Sequence, residues 1–345
     1  MSVLRVRGRG LPTAEFVDLY ADGDRWTTDP VAGAELVGEG WLLPGLVDAH
    51  THPGAEAPGT PFDEHMLRAD LRQHAAAGVT LIRSPGLAGQ PPDWFGRDPD
   101  LPRSVHAGPW FAQDGQFFDG WGRRPSHAEL PALAAEQARQ TGWAKLIGDW
   151  RADDESIPAD VLAAVVAAVH SAGGRVAVHA NYMQTSKSAV EAGVDSIEHG
   201  MRLDPDLLPQ MAAAGIALTP TLSVIEAQLT DAGDRVDGFE AAVQAHRMLI
   251  VEAADAGVTL LAGTDSRPHG RITDEVSALV AAGLRPHDAL AAASWAARSY
   301  LGWAGLEPGA PADAVVYDAD PRGDLSQLAN PAAVILRGRL VYRRA

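Results

Sequence analysis

Four histidines, a lysine and an aspartate stand at positions where metal chemistry would need them. The stretch "WLLPGLVDAHTHPG", residues 41–54, ends an apolar run with His50 and His52, which are separated by one residue. Because successive side chains of a strand point to opposite faces, these two imidazoles point the same way and can reach one ion. Neutral imidazoles together with a carboxylate are typical ligands of zinc and similar divalent ions. The spacing therefore predicts a metal site at the end of this run.

The remaining four side chains lie in further apolar runs. Lys145 lies in "WAKLIG", His179 in "RVAVHA", His199 in "DSIEHG" and Asp265 in "TLLAGTD". Taken alone, a strand histidine is more often a hydrogen-bonded core residue, the lysine an ion-paired or snorkelling residue and the aspartate a turn or cap residue. Their joint placement at strand ends favours a shared role. We interpret the following as metal ligands: His50, His52, Lys145, His179, His199 and Asp265.

The elements that must position these residues alternate along the chain. Between about residues 46 and 301, eight short apolar runs are separated by amphipathic, alanine-rich stretches, many of which close with glycine, as helices do. Such alternation predicts parallel βαβ units, and an eightfold count favours a closed (β/α)8 TIM barrel over residues 46–304. In that fold the carboxyl ends of the strands meet at one face, where catalytic residues lie.

The two ends of the chain have a different character. Residues 1–45 and 305–345 contain short strand-like stretches such as "EFVDLYADGDRW" and "AVILRGRLVYRR", and no convincing helical pattern. We expect them to form one small β-sandwich domain, discontinuous in sequence, beside the barrel.

Composition excludes several classes of function. The 345 residues carry a formal net charge of −17 and no cysteine. An acidic chain lacks the basic patches that nucleic acids and anionic membranes require, and disulfides or thiolate sites are impossible. No apolar stretch approaches the ~18 residues of a membrane span. We expect a soluble cytoplasmic protein with a small-molecule substrate, no nucleic acid and no membrane partner. A homo-oligomer stays open, because an apolar barrel exterior could be buried in a dimer.

The motifs "PGLVDAHTH", "SIEHG", "TPTL" and "AGTDS", with the tail "SYLGWAGLEPGAPADAVVYDADPRGDL", resemble the amidohydrolase superfamily. Within it the chain is most similar to imidazolonepropionase-like and Xaa-Pro-dipeptidase-like hydrolases. The resemblance covers almost the whole chain and implies a distorted TIM barrel with a two-metal centre, of zinc or else manganese, iron or cobalt. It implies that His50, His52 and Asp265 hold one ion, and that His179 and His199 hold the other. It also implies that Lys145, carboxylated by CO₂, bridges both ions with a hydroxide; an unmodified Lys145 beside a single metal stays open.

This resemblance implies hydrolysis of a C–N bond of the amide, peptide or carbamate type, with Asp265 as the catalytic proton shuttle. One alternative is a deaminase or cyclic-amidine hydrolase with a single metal. Such relatives carry a glutamate three residues after the fifth-strand histidine, whereas "HANY" places Tyr182 there. A second alternative is an inert metal-binding interaction protein, although such relatives typically lose ligands and none is missing here. A G-x-S-x-G elbow and a P-loop are both absent from the sequence.

Substrate contacts are expected in the loops that follow the strands. Nine of the sixteen tryptophan and phenylalanine residues fall between Trp94 and Trp150, which predicts either ordinary loop packing or an apolar pocket for a bulky or aromatic group. Basic and polar residues just past strand ends could clamp a substrate carboxylate. The candidate substrate-binding residues are Arg83, Trp110, Tyr182, Arg267 and His269.

Overall fold

The computed structural model of the chain describes residues 3–232 and 238–344. Strands from the two ends of the chain form one seven-stranded mixed sheet, in the order β14-β13-β12-β4-β1-β2-β3. Its strands are β1 (Leu4–Gly10), β2 (Glu15–Asp22), β3 (Arg25–Thr27), β4 (Glu35–Pro44), β12 (Ala314–Tyr317), β13 (Ala333–Leu336) and β14 (Arg339–Arg343). The two ends therefore assemble together, as the sequence predicts. The two facing sheets of a sandwich stay a prediction.

The middle of the chain carries two parallel sheets whose strands alternate with helices. The first contains β5 (Leu46–Asp48), β6 (Val79–Ser84) and β7 (Arg103–His106), in that order. The second contains β8 (Trp143–Ile147), β9 (Arg175–Ala180), β10 (Ser196–His199) and β11 (Ala217–Thr219). All seven correspond to predicted runs, and every residue of β5, β6, β8, β10 and β11 is buried, as expected for strands covered on both faces.

The eighth predicted strand, "TLLAGTD", differs from the prediction. Residues 259–265 form no continuous strand and pair with their neighbours through isolated parallel bridges, Leu260 with Leu218 and Asp265 with Thr51. Both neighbouring strands, β5 and β11, are only three residues long, so little extended backbone is present for a regular ladder. A further isolated bridge, between Phe111 and Leu146, links the segment after β7 to β8.

Ten α-helices lie within the described residues. They are α1 (Glu64–Ala76), α2 (Leu130–Thr141), α3 (Ala159–Ser171), α4 (Met183–Ala192), α5 (Leu208–Ala214), α6 (Leu222–Ala232), α7 (Phe239–Asp255), α8 (Ile272–Ala282), α9 (Pro286–Ala292) and α10 (Trp295–Tyr300). The first turn of α1 is capped by Asp63, whose carboxylate accepts from the Met66 amide at 2.8 Å. Gly142 and Gly193 end α2 and α4 in the left-handed conformation, as the sequence predicts.

A continuous apolar core joins the parallel strands to the helices that cover them. It includes Leu46, Ile82, Leu146, Val178 and Leu218 from the strands, all fully buried. No helix in the described part of the chain combines the length and apolarity needed to cross a membrane.

A buried ionic network ties the terminal sheet to the middle of the chain. Asp313, at the start of β12, accepts from Arg103 of β7 at 2.9 Å and from Arg298 of α10 at 3.0 Å. Arg298 also donates to the carbonyl oxygen of Gly45, where the chain leaves the terminal sheet. A side chain at position 45 would lie 1.9 Å from the Thr80 hydroxyl, so only glycine fits this junction. Removing one partner from a buried ionic network is costly, because the remaining charges stay buried without compensation.

We predict that Asp313→Ala lowers the free energy of unfolding by about 3–5 kcal/mol, because it leaves two buried guanidinium groups without their shared carboxylate. Denaturant unfolding followed by circular dichroism measures the change. The matched control is Asp318→Ala, which removes an exposed ion pair to Arg344 and should cost at most about 1 kcal/mol. Equal effects of the two variants would contradict the role of the network.

Candidate metal and active site

The six predicted metal ligands converge on one cavity of about 490 Å³ at the carboxyl ends of the parallel strands. The imidazole rings follow one another in the order His52, His50, His199, His179, with centroids separated by 4.9, 4.9 and 4.6 Å. Lys145 and Asp265 line the same cavity. Residues that are as much as 215 positions apart in sequence thus meet because parallel strands end on the same side.

Three ligand atoms approach each other closely. Nε2 of His50 lies 3.1 Å from Nε2 of His52 and 3.4 Å from Oδ1 of Asp265, and Nε2 of His52 lies 3.3 Å from the same oxygen. Two imidazole nitrogens and a carboxylate oxygen at these distances are the donor set of a divalent cation site.

The opposite sides of the two imidazoles are fixed by hydrogen bonds. Nδ1 of His52 lies 2.7 Å from the carbonyl oxygen of Gly86, which can only accept, so Nδ1 carries the proton. Nδ1 of His50 lies 2.6 Å from the carboxylate of Glu198 and donates to it. In the neutral rings both Nε2 atoms are therefore unprotonated, and their lone pairs face each other and Asp265. This donor set fits a cation. Both rings are oriented as metal-binding histidines usually are, with the second nitrogen donating to a carboxylate or carbonyl oxygen.

Glu198 is itself held by a buried ion pair. Arg83 Nη2 donates to both carboxylate oxygens, at 2.8 and 2.9 Å, and the Ser196 hydroxyl donates to one of them at 2.5 Å. Burial alone would raise the pKa of Glu198, but Arg83 and Lys145 outweigh it and hold the pKa well below its usual range. Glu198 is thus an anion whose position is set from behind, and it fixes the ring of His50 in turn.

The other three predicted ligands, His179, His199 and Lys145, are also buried. Burial lowers the pKa of His179 to about 3 and holds the pKa of His199 well below its usual range, so both rings are neutral and able to bind a metal. Nδ1 of His199 lies 2.8 Å from the hydroxyl of Thr221. The buried amine of Lys145 has no hydrogen-bond partner among the described residues, and burial lowers its pKa to about 8. A buried amine without a partner fits a group whose partner is a bound cation or a modification.

The backbone is strained where the ligands sit. His199 and Asp265 adopt positive φ angles of 68° and 61°, and Thr221, which contacts His199, has φ of 48°. Non-glycine residues take this conformation at a cost of about 1–3 kcal/mol, and it persists where the surroundings enforce it. For Asp265 the surroundings are visible: its amide donates to the His50 carbonyl oxygen at 2.6 Å. The buried carboxylate of Asp48 accepts from the amide and hydroxyl of the preceding Thr264.

The predicted substrate contacts are only partly placed at the cavity. Trp110 and Arg267 line it. Arg83 does not: it is buried behind the site against Glu198, the Thr219 hydroxyl and the Ala49 carbonyl oxygen, so it cannot clamp a substrate. The structure thus places Arg83 behind the cavity and not on its lining, because a guanidinium at a strand end can also face inward.

Tyr182 and His269 also lie outside the lining of the cavity. Tyr182 precedes α4, its amide donates to Asp149, and its ring lies 5.1 Å from the guanidinium of Arg202, outside the cavity lining. His269 is buried, with Nδ1 3.1 Å from the Thr51 hydroxyl and Nε2 3.5 Å from the carboxylate of Asp70. Loop position alone could not separate these orientations.

Glu198 and Asp48 are site residues that the sequence reasoning missed. Both carry a charge inside a run that is otherwise apolar, "DSIEHG" and "GLVDAH". A buried carboxylate requires a partner, so an acidic residue beside a predicted ligand within a buried strand was an available signal.

Comparisons with known proteins identify the family of this chain and several relatives. A model of the amidohydrolase family matches residues 122–341. An uncharacterized protein of Mycobacterium tuberculosis is 39% identical over 356 residues, covering 97% of this chain and 95% of the relative. The ochratoxinase of Aspergillus niger is 29% identical over 170 residues, which are 46% of this chain and 35% of that enzyme.

Solved structures show the same fold. A Xaa-Pro dipeptidase with methionine bound in its active site matches with a TM-score of 0.82 at 21% identity, over 99% of this chain and 100% of that one. The crystal structure of A. niger ochratoxinase matches with a TM-score of 0.80 at 19% identity, over 99% and 96% of the two chains. The chain belongs to the amidohydrolase family, and it is a hydrolase that acts on carbon–nitrogen bonds. This family generally uses divalent metal ions.

We predict that Glu198→Gln weakens zinc binding about 10- to 100-fold, because the neutral amide no longer holds the His50 ring in its binding orientation. Competition with a chromogenic chelator measures the dissociation constant, and circular dichroism checks the fold. Glu275→Gln is the matched control: Glu275 is another buried glutamate, which accepts from the amides of Leu222 and Ser223. Unchanged zinc affinity in the Glu198 variant, or an equal loss in the control, would refute the positioning role.

Proposed function

We propose that this protein is a metal-dependent amidohydrolase that cleaves an amide, peptide or carbamate C–N bond of a small molecule, with Asp265 as the proton shuttle. The observation that carries the proposal is the convergence of His50 Nε2, His52 Nε2 and Asp265 Oδ1 within 3.4 Å, with both rings fixed from behind. Side chains arranged in this way have little use without a cation between them.

The proposal includes two ions. His50, His52 and Asp265 would hold one, His179 and His199 the other, and Lys145, carboxylated on its amine, would join them. This is supported by the burial of the Lys145 amine without a hydrogen-bond partner in the described chain and by its place in the same cavity. Zinc suits imidazole and carboxylate ligands, and manganese, iron and cobalt are also compatible with the set.

The proposed fold is a closed eight-stranded barrel over residues 46–304, with residues 1–45 and 305–345 as a separate domain. The isolated bridges support closure: Phe111–Leu146 joins the two parallel sheets on one side. On the other side, segment 259–265 is bridged both to β11 and to Thr51, just after β5. Such closure would place all six ligands on one rim.

Bound divalent ions would supply a water nucleophile at neutral pH and polarise the scissile carbonyl group. The chain's own residues set the geometry. The carboxylate of Asp265 would accept the proton released by the attacking water and deliver it to the leaving nitrogen. Its amide bond to the His50 carbonyl oxygen keeps this carboxylate beside the first ion site.

We predict that Asp265→Asn lowers kcat by about 10²–10⁴-fold, because an amide cannot accept the proton. A screen of N-acyl amino acids, dipeptides and aryl carbamates on metal-reconstituted protein provides the assay. Metal content and circular dichroism are recorded for the same samples. Asp274→Asn, an exposed aspartate paired with Arg271 on α8, is the matched control and should keep the wild-type rate.

If the Asp265→Asn protein turned over substrate at a rate close to that of the wild type, Asp265 would not be the proton shuttle.

A further inference from the structure

One wall of the cavity is built from aromatic rings. Phe117, Phe118, Trp121 and Trp150 line it together with Trp110. Trp110 and Trp121 are stacked with centroids 5.0 Å apart and planes 6° apart, and both are buried. Phe117, Phe118 and Trp150 are half-buried and pack edge-on, with Trp150 centroid distances of 5.2 Å to Phe117 and 4.9 Å to Phe118. We call these five residues the aromatic wall.

The loop that carries most of the aromatic wall is held in place by polar contacts. The guanidinium of Arg124 donates to the carbonyl oxygens of Gln116, Phe118 and Trp121. The indole of Trp121 donates to the Thr60 carbonyl oxygen at 2.6 Å. A fixed loop presents its half-buried rings to the cavity without having to order them when a ligand binds.

The aromatic wall begins at the metal site. The ring of Trp110 lies 5.1 Å from that of His52, and the ring of Trp150 lies 5.8 Å from that of His179. A substituent directly attached to a carbonyl group at the metal site would therefore contact the aromatic wall.

Apolar side chains extend the lining of the cavity beyond the aromatic wall. The apolar side chains of Met201, Val224 and Ile225 also line the cavity. Arg267, the cation at the rim, is already paired with the buried carboxylate of Asp70 at 2.5 Å. A volume of about 490 Å³ accommodates a molecule with one or two rings beside the scissile bond.

We infer that the substrate is an amide or carbamate that carries an aromatic ring directly beside the scissile bond, and that this ring packs on Phe118 and Trp150 of the aromatic wall. The inference rests on the proposed function and names its substrate class. Aromatic pairs in offset or edge-to-face geometry are more stable than the contact of equal area with a saturated ring.

The test compares matched substrates on the metal-loaded protein. Anilides and benzamides are assayed beside their N-cyclohexyl and cyclohexanecarboxamide analogues, which have similar volume but no π-system. We predict that kcat/KM favours the aromatic member by about tenfold or more. Because aniline is also a better leaving group than cyclohexylamine, the contribution of ring packing is the part of this ratio that the wall variants lose. Trp150→Leu and Phe118→Leu should each reduce this ratio several-fold, whereas Trp150→Phe should keep it.

Trp94→Leu is the matched control, because Trp94 is a half-buried tryptophan that packs on Arg68, away from the cavity. It should leave the ratio unchanged. Equal turnover of aromatic and cyclohexyl substrates, or the same ratio in Trp150→Leu as in the wild type, would overturn the inference while leaving amide hydrolysis in place.

A binding experiment separates this inference from the proposed function. Calorimetric titration of the metal-loaded protein with benzoate and with cyclohexanecarboxylate needs no turnover. Tighter binding of benzoate that is lost in Trp150→Leu would support the aromatic wall even if no amide were hydrolysed. Equal affinities for the two acids would count against it.

Discussion

The buried ion pair between Arg83 and Glu198 is the interaction on which the site depends. Glu198 accepts from Arg83 on one side and from the His50 ring on the other, so a charge buried in the strand core becomes a fixed support for a metal ligand. Removing either charge would leave the other buried and unpaired, which is costly. The pair thus links the packing of β6 and β10 to the orientation of the His50 imidazole, which follows β5.

The backbone around this pair is strained, and hydrogen bonds and close packing hold it in place. His199 and Asp265 hold positive φ angles, and Met201, Ser266 and Arg267, which follow them in sequence, also line the cavity. Asp48 bonds to Thr264, and a side chain at Gly263 would lie 2.5 Å from the His50 Cβ. The irregular segment 259–265 can approach β5 closely only because of this glycine. The departure from a regular eighth strand is therefore part of how Asp265 reaches His50.

The sequence predicted the parts of this molecule that repeat. Seven of eight strand runs and the convergence of the six predicted ligands follow from the alternation of apolar runs and helices, since parallel strands end on one side. The direction of individual loop side chains could not be read in that way. Arg83 lies within β6, and Tyr182 and His269 lie just past predicted strands, yet each contacts a residue far along the chain, and such contacts are fixed only by the folded structure.

The most direct measurement of the central claim is an anomalous-scattering map from crystals of the zinc-reconstituted protein. The account predicts two zinc peaks in the cavity, one bonded to His50, His52 and Asp265 and one bonded to His179 and His199, with density for a carboxylated Lys145 between them. Saturating zinc without a peak beside His50, His52 and Asp265 would contradict the account.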